Sequence, residues 1–251
     1  MIKKQYGLIG KDIAYSFSQE YFTEKFKQLQ LTDSQYSNFD LAKISEFSDI
    51  LERFDNLKGL NVTIPYKQAI IPYLDSLSKK AAAIGAVNTI RITRKNKLKG
   101  YNTDWYGFYH SLKPLLKKQH THALILGTGG ASKAIEYALA KLGIAYKFVS
   151  RTKQDTELTY EELTQAIMTQ YTVIINTTPL GTFPDVEAKP NIPYQYLTNQ
   201  HLVYDLIYNP AQTTFLRLAA EQQATTKNGH EMLVLQAEKA YKIWSKRFEQ
   251  D

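Results

Sequence analysis

His122-Ala123-Leu124-Ile125-Leu126-Gly127-Thr128-Gly129-Gly130-Ala131-Ser132 is the stretch whose reading decides the fold. A short continuous apolar run is the pattern of a strand buried on both faces of a parallel sheet. In Gly127-x-Gly129-x-x-Ser132 the first glycine permits a tight turn. The second lets the backbone approach a pyrophosphate, and a small third residue allows close helix–strand packing. The alanine-rich helix expected over 132–142 would turn free N–H groups and a positive dipole end toward the phosphates. The turn alone is a weak signal, and a plain strand-to-helix connection competes with it. A strand before and a helix after are the context that the nucleotide reading needs.

Working downstream, strands are expected at 146–149, 172–176 and 202–206, with a helix at 161–168. This βαβαβ order implies a doubly wound α/β domain. The residue after the second strand usually selects the cofactor, an acid there binding a ribose 2′-hydroxyl. Here the segment is Val149-Ser150-Arg151-Thr152-Lys153, with no acid at the tip. Arg151 is suited to a 2′-phosphate through its planar charged fork. NADP is therefore favoured over NAD, against the alternative of a solvent-facing loop arginine.

Upstream, strands are expected at 6–10, 36–41 and 60–64, helices at 18–29 and 44–54, and a hairpin from 87–93 and 98–101. Pro65 suits the first turn of another helix, and a helix is expected over 104–116. The last element, 231–248, reads as one long helix with apolar residues at helical spacing. Two dense polar motifs lie here: Gly59-Leu60-Asn61-Val62-Thr63-Ile64-Pro65-Tyr66-Lys67 and Gly100-Tyr101-Asn102-Thr103-Asp104-Trp105-Tyr106-Gly107. In Tyr15-Ser16-Phe17-Ser18 alternate hydroxyls point the same way if the chain is extended. They could bind a carboxylate, or Ser18 could cap the helix that follows. Asn61, Thr63, Lys67, Asn88, Asp104 and Gln236 add polar groups near expected strand ends and helix starts.

The 251 residues suffice for one large domain or two small ones. A net charge of +7 favours anionic partners, either nucleic acid or an anionic metabolite and a phosphate-bearing cofactor. The densest basic stretch, 94–99, reads as a solvated hairpin tip, and no zinc-finger, RRM or KH signature accompanies it. Cysteine is absent, so no disulfide or Cys metal site can form, and no metal is expected. No apolar run nears membrane-span length and no leader pattern opens the chain. A cytoplasmic protein with no nucleic-acid or membrane partner is the simplest expectation.

With these residues in place, the chain resembles the shikimate dehydrogenase family nearly end to end. The matching segments are Gly7–Gly10, Ser16-Phe17-Ser18, Asn61–Lys67, Ile84-Gly85-Ala86-Val87-Asn88-Thr89, and Asn102-Thr103-Asp104 with Gly107. They continue with Gly127–Ala131, Ser150-Arg151-Thr152, Asn176-Thr177-Thr178-Pro179-Leu180-Gly181, Asp205-Leu206-Ile207-Tyr208-Asn209-Pro210, Asn228-Gly229, Met232-Leu233 and Gln236-Ala237. The resemblance implies two α/β domains separated by a cleft. One is a substrate-binding domain at 1–103 completed by 230–251, the other a Rossmann-type NADP-binding domain at 104–229. It implies reversible NADP-dependent reduction of 3-dehydroshikimate to shikimate by a monomer or homodimer.

By the same resemblance Lys67 and Asp104 match the catalytic pair. Ser16 and Ser18 match the carboxylate-binding hydroxyls, and Asn61, Thr63, Asn88, Tyr208 and Gln236 other substrate contacts. Gly127, Thr128, Gly129, Gly130, Ala131, Ser150, Arg151, Thr152, Thr177, Leu206 and Gly229 match cofactor contacts. The chain departs from the family pattern at Tyr15, Gln19 and Ser150, where histidine, proline and asparagine are usual. A quinate or quinate/shikimate dehydrogenase and a non-catalytic ligand-binding regulator are the competing readings. An acid in place of Arg151 would favour the first, and loss of Lys67 or Asp104 the second.

Overall fold

A computed structural model describes residues 4–14, 16–153 and 158–245. Among them the strands form two six-stranded sheets. The chain divides into two units, Met1–Thr103 with Ala237–Asp251, and Asp104–Gln236. The return to the first unit falls between Gln236 and Ala237, whereas the expected boundary lay at 230.

The first unit contains β1 (Lys4–Gly10), α1 (Phe17–Gln28), β2 (Ser34–Asp40), α2 (Phe47–Arg53), β3 (Leu57–Val62), β4 (Ser76–Leu77), α3 (Lys79–Ile84), β5 (Thr89–Ile92) and β6 (Leu98–Tyr101). Its strand order is β2-β1-β3-β5-β6-β4. β1 runs parallel to β2 and β3, and β5 is antiparallel to β3 and β6. Alternation along β1 sends Ile9 into one core with Leu60, Val62 and Ile90. It sends Tyr6 and Leu8 into another with Phe22, Phe26 and Trp244. Trp244 locks the second core, since its indole N–H donates to Ile90 O at 2.9 Å. The ring lies so close to β3 that a Cβ on Gly59 would overlap it.

The second unit contains α4 (Asp104–Leu112), β7 (His122–Leu126), α5 (Gly130–Leu142), β8 (Ala145–Ser150), β9 (Leu158–Thr159), α6 (Gln165–Gln170), β10 (Val173–Asn176), β11 (Leu202–Asp205), α7 (Thr214–Glu221) and β12 (Thr225–Lys227). α8 (His230–Ser245) belongs to this unit as far as Gln236 and to the first unit beyond it. Every strand pair is parallel, in the order β12-β11-β10-β7-β8-β9. The winding reverses at β7, with β8 on one side and β10 on the other. Ligands of such sheets bind at the carboxyl ends of the strands beside that switch point. Leu124, Val149, Ile174 and Val203 fill the core on one face, and Ala123, Ile125, Ile175 and Tyr204 the core on the other. The buried β-run at 123–126 is thus covered on both sides, as its unbroken apolar character requires.

Several expected elements differ. No α-helix follows Pro65; the chain runs through turns to a 3-10 turn at Ile71–Tyr73. The Lys67 carbonyl accepts from Val87 N at 2.7 Å. The helix expected over 104–116 stops at Leu112 and tightens into a 3-10 turn at Lys113–Leu115, where Pro114 has no N–H to donate. The helix expected over 161–168 is two pieces. Thr159 and Glu162 close a capping box on the first, and Thr164 caps α6 afresh. The residues beyond 245 of the expected last helix lie outside the described residues. Among the described residues no helix is long and apolar enough to cross a membrane.

Candidate functional site

In the first unit the candidate side chains gather around the carboxyl ends of β1 and β3. Ser16, not Ser18, is the cap of α1, because the helix already starts at Phe17. The Ser16 hydroxyl oxygen accepts from Ser18 N at 3.2 Å. The Ser16 proton is thereby left to donate elsewhere. Ser18 sits in the first turn, and its side chain hydrogen-bonds the Tyr36 hydroxyl. Tyr15, one of the departures from the family pattern, lies outside the described residues.

Tyr36 was not among the expected site residues, yet it joins two that were. It is buried and stacks on Phe22. Its hydroxyl donates to Asn61 Oδ1 at 2.9 Å. Burial pushes that hydroxyl far above the ordinary tyrosine range, with Ser18 pulling the other way. Asn61 then donates both amide hydrogens inward, to Asn88 O at 3.2 Å and Thr89 Oγ1 at 3.3 Å. Asn88 Oδ1 accepts from Thr103 N at 2.7 Å, and Asn88 Nδ2 donates to Thr103 Oγ1 at 3.0 Å. Asn61 and Asn88 are therefore neighbours in one buried network that holds the segment leading into Asp104. The signal for Tyr36 was a tyrosine among polar neighbours in β2, but its partner is 25 residues away.

Thr63 and Lys67 are half-buried. Thr63 N donates to Ile9 O at 2.8 Å, and Tyr66 OH fastens the same turn to Leu41 O at 2.7 Å. Thr63, Ile64 and Pro65 line an open depression of about 340 Å³ with Lys11, Asp12 and Ile13. Ile64 is 69% exposed at its rim.

In the second unit Gly127 has φ +99°, which an L side chain resists, and a Cβ there would meet Thr178 Cγ2 at 2.9 Å. Gly129 caps α5 without any side-chain bond, and a Cβ on it would meet open space. The first turn of a 13-residue helix thus faces an uncluttered approach. Thr177 Oγ1 donates to Leu126 O at 2.7 Å, fixing the turn after β10 to the glycine turn. Gly129, Gly130 and Ala131 stand at this helix start, and this donor set fits a pyrophosphate.

At the end of β8 the Ser150 hydroxyl donates to Thr152 O, and Arg151 is exposed. The Arg151 charge reaches Tyr160, opposing the rise that burial gives its hydroxyl. Lys153 pairs with Glu162. Residues 154–157 lie outside the described residues.

At the ends of β10 and β11 the register places Asn176 opposite Asp205. Asp205 has no exposed surface. Its Oδ1 accepts from Asn176 Nδ2 at 3.0 Å and Ile207 N at 3.1 Å, and its Oδ2 from Thr213 Oγ1 at 2.7 Å. Burial pushes its carboxyl up to about 6 despite these three donors. The same loop carries Leu206 and the half-buried Tyr208, whose hydroxyl is also pushed up by burial. Gly229 N donates to Ile207 O at 3.0 Å, and Gly229 abuts Leu206 so closely that a Cβ would overlap its carbonyl. Leu206 and Gly229, expected at the cofactor, are thus brought together. Asp104 is 3% exposed at the start of α4, and Gln236 is half-buried on α8. No group of His, Asp and Glu suited to a metal ion occurs among the described residues.

Residues 8–90 match the family model of the shikimate dehydrogenase substrate binding domain. The shikimate dehydrogenase (NADP(+)) of Caldicellulosiruptor saccharolyticus is 36% identical, over 97% of this chain and 92% of that protein. The crystal structure of shikimate dehydrogenase 1 from Peptoclostridium difficile is 37% identical with a TM-score of 0.84, covering 98% of this chain and 93% of that one. The Thermus thermophilus enzyme, solved in complex with NADP(H) and shikimate, has a TM-score of 0.84 at 28% identity. It covers 98% of this chain and 94% of that one.

Proposed function

The chain belongs to the shikimate dehydrogenase family, and on that premise we propose that it reduces 3-dehydroshikimate reversibly to shikimate with NADPH. The observation that carries the reading is the pairing of two things in one chain. One is the buried Asn61–Asn88–Thr103 network leading to Asp104. The other is a glycine-bounded helix start with an exposed arginine, not an acid, after the next strand. The quinate reading is not favoured, and a non-catalytic regulator has no need of Lys67 and Asp104 together.

Residues Gly127 to Ala131 would hold the pyrophosphate and Ser150, Arg151 and Thr152 the 2′-phosphate, with Thr177, Leu206 and Gly229 completing the cofactor contacts. When bound, NADPH supplies the hydride. The protein's own task is to manage the proton and the orientation. A carbonyl that accepts a hydride develops negative charge on oxygen, and a positioned acid must protonate it. Lys67 holds that proton on Nζ. Asp104 accepts from a substrate hydroxyl and fixes the ring against rotation. Ser16 and Ser18 receive the carboxylate, Ser16 with a proton not used in its capping bond and Ser18 by turning to it the proton that it otherwise gives Tyr36. Thr63, Asn88, Tyr208 and Gln236 orient the remaining hydroxyls, with Asn61 holding Asn88 from behind. Residues 1–103 with the end of α8 act as the substrate domain and the remainder as the cofactor domain. The protein works in the cytoplasm as a monomer or homodimer.

The test is NADPH oxidation with 3-dehydroshikimate, run beside quinate oxidation with NAD. Turnover in the first assay well above the second is expected. Quinate turnover with NAD alone would overturn the reading.

A further inference from the structure

Asp205 is a buried acid that the proposed chemistry does not use. Its three donors come from three different places: Asn176 at the end of β10, Ile207 in the loop after β11, and Thr213 at the start of α7. Each donor is itself an anchor. Asn176 Oδ1 accepts from Thr178 N at 3.0 Å and from Thr178 Oγ1 at 2.6 Å, which fixes the turn carrying Thr177. Thr213 Oγ1 accepts from Leu216 N at 3.3 Å and so closes the loop onto α7. Residues 208–212, with Tyr208 among them, lie between the Ile207 and Thr213 bonds, with one more anchor from Asn228 Nδ2 to Ala211 O at 2.9 Å. Leu206 comes just before them, its N–H on Asn176 O at 3.1 Å.

We propose that Asp205 is a positioning residue for the reaction, one carboxylate that sets both the Thr177 turn and the Tyr208 loop. This rests on the reading of Thr177 and Leu206 as cofactor contacts and Tyr208 as a substrate contact. The geometry requires an acceptor at Oδ1, which faces two N–H donors. At Oδ2 it faces a hydroxyl, which can accept as readily as donate. Asparagine therefore satisfies the site, with its oxygen toward Asn176 and Ile207 and its NH2 toward Thr213. Alanine satisfies none of it and leaves three donors without a partner.

The experiment compares the parent with Asp205→Ala, Asp205→Asn, Thr213→Val and Thr213→Ser. Michaelis constants for shikimate and NADP are measured beside calorimetric binding of shikimate and of adenosine 2′,5′-bisphosphate. The bisphosphate probes the glycine turn and Arg151 without the two loops. Asp205→Ala should raise both Michaelis constants and weaken shikimate binding by about tenfold, the scale of one charge-assisted hydrogen bond. Bisphosphate binding should fall by clearly less than shikimate binding, since its contacts are linked to Asp205 only through the Asn176–Thr178 and Thr177–Leu126 bonds. Asp205→Asn and Thr213→Ser should behave like the parent, and Thr213→Val should follow Asp205→Ala at smaller size.

Should Asp205→Ala fail to fold, Thr213→Val and its serine rescue decide. Unchanged Michaelis constants in folded Asp205→Ala or Thr213→Val would overturn the inference. So would equal loss of bisphosphate binding, or an Asp205→Asn variant as damaged as the alanine one. A parent that does not oxidise shikimate at all would instead sink the proposed function.

Discussion

Replacing Asp205 by Asn should change how stability depends on pH, in a direction opposite to the usual acid denaturation. The carboxyl is raised by burial from 3.8 to about 6 in the folded chain. The folded state therefore holds this proton where the unfolded chain has released it. Its contribution is full below about pH 4, declines as pH rises through about 6, and is then flat. A displacement from 3.8 to about 6, at about 1.4 kcal/mol per unit, amounts to about 3 kcal/mol. Asparagine has no such dependence. Other carboxylates work the other way: Asp75 is held low by its bonds from Leu98 N and Lys97, and Glu162 by its bond from Lys153. Those effects are common to both proteins and cancel in the difference. Tyr194, whose hydroxyl burial and then the Asp205 charge push up, does not titrate in this window. Urea unfolding of parent and variant at intervals between about pH 4 and pH 7 gives the difference directly. The parent should lose about 3 kcal/mol relative to Asp205→Asn across that span. A difference that does not vary with pH, or one that moves in the parent's favour as pH rises, would refute the reasoning.

Three further outcomes are expected. Lys67→Ala should lower turnover by about 10²–10⁴-fold, the range for a general acid–base group, with far less effect on shikimate binding by calorimetry; turnover within a few-fold of the parent would remove Lys67 from the chemistry. Arg151→Ala should raise the Michaelis constant for NADPH by about tenfold or more and leave that for NADH almost unchanged, and equal effects on both would make the arginine structural. Gly59→Ala forces the Trp244 indole off β3 and strains its bond to Ile90 O. Overpacking of this kind costs about 1–3 kcal/mol, read as a lower urea midpoint; an unchanged midpoint would mean that the indole yields freely.

What the sequence made legible was what repeats locally. The apolar run 123–126 and the glycine turn before α5 are short-range patterns, and both lie where they were expected. Where a helix was expected after Pro65, the chain runs in turns and the Lys67 carbonyl takes its donor from Val87, twenty residues on. The cap reading of Ser18 moved to Ser16 because the helix begins at Phe17, two residues sooner than a Ser18 cap would place it. α7 went unread although Thr213 caps it and Phe215, Leu216 and Ala219 form its buried face. Tyr36 and the polarity of the Asn61 network were out of reach for a different reason. Each hydrogen bond there joins strands whose register is set by the whole sheet, and nothing within a few residues encodes it. Asp205 could have been suspected, since an acid at the end of an otherwise apolar strand needs partners. Which partners, though, depended on the pairing of β10 with β11.

The Trp244 bond to Ile90 spans 154 residues, and it bears on the order in which the chain is made. During synthesis residues 104–236 emerge as one uninterrupted stretch, able to complete their own sheet while translation continues. The first hundred residues emerge earlier, yet one face of their sheet stays uncovered until α8 arrives with Ala237, Ala240, Ile243 and Trp244. Tyr6, Leu8, Phe22 and Phe26 can meet one another through α1 but lack Trp244 meanwhile, and contacts over such a separation form slowly. The part of the chain that is translated first is thus the part whose core is completed last.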